Sequence, residues 1–212
     1  MTKFSAVNLT LAGAICMSFV GLLIRLIESA DGFQILFYRS IGMSLVILTL
    51  VCVRRNKSPF RVLKSLDRND FFMGICFSLA FLTYVFSMLN TSIASTLFLL
   101  SMSPIFAGCI GWFWINEKPH KVVWISMLIA VIGISIMIND GLADSKSFGN
   151  ILAIFSAIFF ALGLVQARKS KKTDVLGGTF LGALFSCFFG LLVTVLLKNL
   201  SLIHISEPTR PY

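Results

Sequence analysis

The chain reads as long apolar runs parted by short polar gaps. A run of about 20 apolar residues crosses the roughly 30 Å hydrocarbon layer of a bilayer as a helix. Seven windows approach that length: residues 5–27, 33–53, 71–89, 92–115, 122–138, 148–167 and 175–197. The first follows Lys3, as a signal peptide would. Its run is longer than such a segment allows and no small-residue cleavage site closes it, so it is read as an uncleaved helix. The predicted fold class is an all-α membrane protein, a multi-span helical bundle whose first partner is the lipid bilayer.

Composition agrees with the pattern. Of 212 residues, 57% are hydrophobic and 13% charged, about half the charge a soluble domain carries. The net charge of +9 raises nucleic acid as a ligand, but the basic residues crowd into the gaps instead of spreading over a face among aromatics, so no nucleic-acid partner is expected. After the second window come Arg54, Arg55, Lys57, Arg61, Lys64 and Arg68; after the fourth, Lys118 and Lys121; after the sixth, Arg168, Lys169, Lys171 and Lys172. With Lys3 these lie on one side, and the opposite gaps hold Lys146 and Lys198 beside Asp31, Asp140 and Asp144. The bias places the N-terminus in the cytoplasm. Trp112, Trp114 and Trp124 flank the turn from Glu117 to Lys121, where an interfacial aromatic belt would sit. The five cysteines lie in apolar stretches without CxxC or Cys/His spacing and read as packing residues; no metal site or cofactor is expected.

Two patterns bear on packing. The gap of Asn90 and Thr91 makes the third and fourth spans antiparallel neighbours. In the seventh, Gly178, Gly182, Ser186 and Gly190 place a small residue every four positions, a stripe that lets another backbone approach. A homodimer is left open as a partner. A shift of 143 residues sets Ala14, Ile15, Arg25 and Asp31 on Ala157, Ile158, Arg168 and Asp174. The sixth span lies five helices after the first, an odd offset, so the copies would point in opposite directions, the sequence sign of an inverted repeat.

The stretch SIASTLFLLSMSPIFAGCIGWFWINEK followed by KVVWISMLIAVIGISIM, residues 92–118 and 121–137, resembles the fourth and fifth helices of an EamA-type transporter of the drug/metabolite transporter superfamily. The matching marks are small residues opening the fourth helix, Pro104 near its middle, Glu117 after its end, and Arg39 within LFYRSIG. The resemblance implies ten helices in two inverted five-helix repeats, exporting or importing small metabolites; the expectation adopted is an exporter working by alternating access in a bacterial inner membrane. Residues 1–138 would form the first repeat and 139–199 the first two helices of the second. Residues 200–212, beginning LSLIHISEPTRP, resemble a translated sequencing adapter and are expected to be a non-native tail. The rival reading is a non-transporting membrane scaffold or partner subunit.

Arg39 is the sharpest chemical signal. It stands about 10 Å inside its span, where a cation costs about 2.5–3.5 kcal/mol to insert. Either it faces a cavity and holds an anionic substrate group or an open carbonyl, or it snorkels to the interface. Pro104 leaves the Leu100 carbonyl without its helical donor, and Ser101, Ser103 or a substrate could complete that network; a kink healed by neighbours is the alternative. Tyr84 and Gln166 are polar handles on a path or satisfied packing residues, and Glu117 is read as structural. No acidic residue lies deep in a window, no GxxxxGK[ST] is present, His120 and His204 lie outside the spans, and Lys198 follows the last. An ATPase, an intramembrane Ser/His hydrolase and a retinal protein are thereby disfavoured, and no catalytic residue is assigned.

Overall fold

The computed structural model describes residues 31–55, 66–116, 121–141, 147–170 and 175–196, with scattered positions between 7 and 24. Those residues are helical wherever they are regular, with no strand among them. In chain order the helices are α1 (Gly32–Arg55), α2 (Arg68–Asn90), α3 (Ile93–Leu100), α4 (Ser103–Ile115), α5 (Lys121–Gly141), α6 (Ser147–Lys169) and α7 (Leu176–Leu196). Among the described residues five segments are long and apolar enough to cross a membrane: Gly32–Val53, Arg68–Asn90, Ile93–Ile115 taken through its break, Ser147–Lys169 and Leu176–Val195. The fifth window is the 21-residue helix α5, and the described positions of the first window are helical too.

Local chemistry sets where these helices begin and end. Asp67 caps α2, its carboxylate accepting from the Arg68 N–H at 2.7 Å, while Asp70 reaches back to the Asp67 N–H at 3.0 Å. This reciprocal box satisfies donors that a helix otherwise leaves open. Ser92 caps α3 through the Ser95 N–H at 3.0 Å. Helix α4 stops at Asn116, whose left-handed backbone (φ 58°) points its N–H back to the Gly111 carbonyl; asparagine tolerates that conformation better than most residues.

Helix α2 is the centre of the bundle. Its most extensive interfaces are with α6 and then α7, and α1 packs chiefly on α7 while also touching α2. Small residues make this possible. A Cβ on Gly182 would stand 2.7 Å from the Phe77 Cβ, one on Gly178 2.6 Å from the Met73 Cβ, and one on Gly74 2.6 Å from the Leu181 Cβ. On α6, Gly149, Ala153, Ala157, Ala161 and Val165 recur every four residues and are all buried. A Cβ on Gly149 would meet the Asn90 carbonyl carbon and the Thr91 Cβ, each at 2.7 Å. With no hydrophobic drive between helices in lipid, such close approach and the dispersion it gains hold them together.

Hydrogen bonds stitch the same helices at three levels. Near the Asn90 end, the Ser87 hydroxyl donates to the Gly149 carbonyl at 2.8 Å and lies 2.9 Å from the Thr96 hydroxyl, while Thr91 donates to the Asn150 side chain at 2.9 Å. Midway, the Ser156 hydroxyl donates to the Ala80 carbonyl at 2.9 Å. Near the other end, the Gln166 amide donates to Asn69 at 3.1 Å.

The expectation that the third and fourth spans are neighbours holds at their turn and again where Phe72 meets Trp114 edge-on at 6.0 Å. Elsewhere, α3 and α4 pack chiefly on α6, because the small-residue faces of α6 and α7 occupy the flanks of α2. The fourth span is also broken, not kinked: α3 ends at Leu100, and Ser101 and Met102 form a tight turn before α4.

Candidate functional site

Arg39 sits on α1 seven residues after Gly32, about 10 Å along the helix. Tyr84 sits on α2 six residues before Asn90, about 9 Å from that end. Because α1 and α2 run in opposite directions, the two fall at one depth. The Arg39 guanidinium carbon lies 5.1 Å from the centre of the Tyr84 ring and 5.4 Å from that of Phe81, one helical turn earlier on α2. Both rings are buried, whereas Arg39 is only partly so.

Magnitudes show what this arrangement does. Inserting the cation costs about 2.5–3.5 kcal/mol, and each desolvated aromatic face returns about 1–2 kcal/mol. Two rings therefore roughly offset the charge, yet they give the guanidinium N–H groups no in-plane acceptor. Among the described residues no carboxylate, carbonyl or hydroxyl accepts from them. The result is a tolerated cation with open donors. Phe81 in turn stacks on Phe77 (centroids 6.4 Å, planes 16° apart), and Phe77 meets Phe160 of α6 at 5.5 Å. The Phe77 ring fills the space beside Gly163, where a Cβ would come within 2.6 Å of it.

Ser101, Ser103 and Pro104 lie at the break between α3 and α4. Pro104 stands in the first turn of α4, where the missing N–H costs nothing. The Ser101 hydroxyl donates to the Phe98 carbonyl at 2.5 Å, so it closes the end of α3 and does not serve the Leu100 carbonyl, as its position next to Pro104 suggested. Ser101 and Pro104 are exposed and Ser103 partly buried. No direct contact joins these three to Arg39, but Leu100 packs against the hydrophobic cluster that contains Tyr84 and Phe81.

The stripe on α7 divides between two neighbours. Gly178 and Gly182 meet α2, and the Ser186 hydroxyl donates to the Gly182 carbonyl at 2.8 Å and lies 3.1 Å from the Ser78 hydroxyl. At Gly190 a Cβ would approach the Phe33 carbonyl and the Phe37 Cβ of α1, each at 3.2 Å. Glu117 lies outside the described residues. Gln166 bonds to Asn69 while its own carbonyl oxygen is buried without a partner. At the same end Trp112 meets Trp124 edge-on at 5.7 Å and the Lys169 ammonium lies 4.8 Å from the Trp114 ring, so the aromatic and basic residues share a level.

Sequence reasoning missed Phe81, one of 21 Phe residues with nothing local to single it out. It also missed the buried Ser87, Thr96 and Ser156 and the alanine-rich stripe of α6. Four-residue spacing of Gly and Ala, the signal read in the seventh span, was available for the last of these. A model of the EamA-like transporter family matches residues 4–139. No curated protein and no solved structure matches the chain.

Proposed function

Because the chain belongs to the EamA-like transporter family, and is thus a multi-pass membrane transporter of the drug/metabolite type, we propose that it is a secondary carrier exporting small metabolites across a bacterial inner membrane by alternating access. The single observation that carries the reading is the Arg39 guanidinium, partly accessible inside an apolar span and held by aromatic faces without an acceptor. Intramembrane cations of this kind mark substrate paths. Arg39 is the polar anchor and Tyr84 part of the wall. Ser101, Ser103 and Pro104 form the flexible joint of the fourth span.

In this mechanism α2, α6 and α7 are the fixed block, and the limb of α3, α4 and α5 shifts against it at the Ser101–Met102 break. The N-terminus is cytoplasmic, in keeping with the basic bias of the gaps at one end. Residues 1–138 form one five-helix repeat and residues from 139 onward begin an inverted second, so that α2 and α6 meet across the boundary between them. The substrate is a small molecule, and the chain uses no cofactor and catalyses no covalent chemistry.

The test is Arg39→Ala in the full-length protein. Export of labelled organic acids from expressing cells should fall by about tenfold or more, with the amount inserted in the membrane unchanged. Normal export by this variant overturns the assignment of Arg39.

A further inference from the structure

We infer that the group Arg39 holds is the carboxylate of a singly charged organic acid, one without a compensating ammonium. The inference rests on the carrier reading for its place on a transport path, but its chemistry comes from what surrounds the guanidinium. Phe81 and Tyr84 meet it through their rings, at 5.4 and 5.1 Å. Ring faces attract the charge but do not accept the fork of N–H bonds in the guanidinium plane. That fork matches the two oxygens of a planar carboxylate, which it binds through paired, charge-assisted hydrogen bonds.

Charge matching narrows the class. The other basic residues with described side chains, Arg68, Arg168 and Lys169, stand at helix ends. Among the described residues one positive charge lies at depth, so a monoanion neutralises the site. A dicarboxylate or phosphate monoester would leave uncompensated charge where the dielectric is low. The acidic residues with described side chains are also at helix ends: Asp31 before α1, Asp67 and Asp70 at the start of α2. Among the described residues no carboxylate stands beside Arg39 to receive an ammonium, which sets a zwitterion or an amine at a disadvantage. The neighbouring surface is apolar and aromatic, with Phe77 stacked on Phe81 and Leu36 one turn from Arg39 on α1, and it favours an apolar body on the acid.

The experiment uses the full-length protein in proteoliposomes, with benzoate as the probe. Phenylglyoxal modifies accessible arginines, and its adduct on the Arg39 peptide is counted by mass spectrometry. Saturating benzoate should cut that adduct by about tenfold, while benzamide, benzylamine and phenylalanine leave it unchanged. The inference is overturned if benzoate gives no protection, if Arg39 resists the reagent, or if benzamide or phenylalanine protects as well as benzoate. Counterflow of labelled benzoate in the same vesicles separates the two readings. Protection without flux retires the carrier and keeps the anion site; flux of benzylamine with no protection by benzoate retires the anion site and keeps the carrier.

Discussion

Helix α2 and the broken pair α3–α4 each occupy a 23-residue apolar span, yet 56% of the apolar stretch of the first is buried within the molecule and 17% of that of the second. Hydrophobicity says that a segment is immersed; it does not say which faces meet protein and which remain open. The difference comes from what stands opposite. Against α2, glycine, alanine and serine on α6 and α7 bring backbones together and leave room for hydroxyl-to-carbonyl bonds. Around α3 and α4 the large apolar side chains left exposed include Leu97, Phe98 and Phe113. The buried region is the scaffold, and in the proposed mechanism the exposed one is the limb that shifts against it.

Substitutions in the two regions sharpen that contrast. The largest effect belongs to Gly182→Leu, where even a Cβ lies 2.7 Å from that of Phe77. Separation of α7 from α2 should destabilise the protein by about 3 kcal/mol, read as a lower denaturation midpoint in detergent; an unchanged midpoint would mean the interface is not a structural one. Next comes Ser87→Ala, which removes the bond to the Gly149 carbonyl and the contact with Thr96. A loss of about 1 kcal/mol is expected, since interhelical bonds in membranes average about 0.6 kcal/mol each, with faster amide exchange at the start of α6. The smallest stability change is assigned to Pro104→Ala in the limb. Because Pro104 already sits in the first turn of α4, stability should stay within about 0.5 kcal/mol, while the transport rate changes several-fold as the break heals. A destabilisation as large as that of Gly182→Leu would erase the distinction between scaffold and limb.

The parts of the fold legible in the sequence were those that depend on solvent. The windows 33–53, 71–89, 148–167 and 175–197 fall within a few residues of α1, α2, α6 and α7, because immersion in lipid requires uninterrupted apolar length. Partnership was less legible. Pro104 signalled an interruption, but the break settled at Ser101–Met102, where a helical turn can close before proline restricts the chain. The stripe of Gly178, Gly182 and Ser186 was readable because glycine brings no apolar side chain of its own, so its recurrence every four residues calls for a packing reason. Its counterpart on α6 passed as ordinary apolar sequence, since alanine both fills lipid and admits a neighbour. Arg39 announced itself by the cost of its charge, whereas the choice of Phe81 and Tyr84 beside it depends on the relative rotation of α1 and α2, which no local pattern encodes.

Thr91 and Ser92 are the whole connection between α2 and α3. So short a link cannot be drawn across a bilayer after its flanking segments have settled, and neither segment can wait in water for the other. During synthesis the two must leave the translocation machinery side by side, as a hairpin. The Ser92 hydroxyl, already bonded to the Ser95 amide, lets the tip of that hairpin pass through hydrocarbon with one less bare donor. The same two residues that end one span and begin the next thereby commit both to the membrane in a single event.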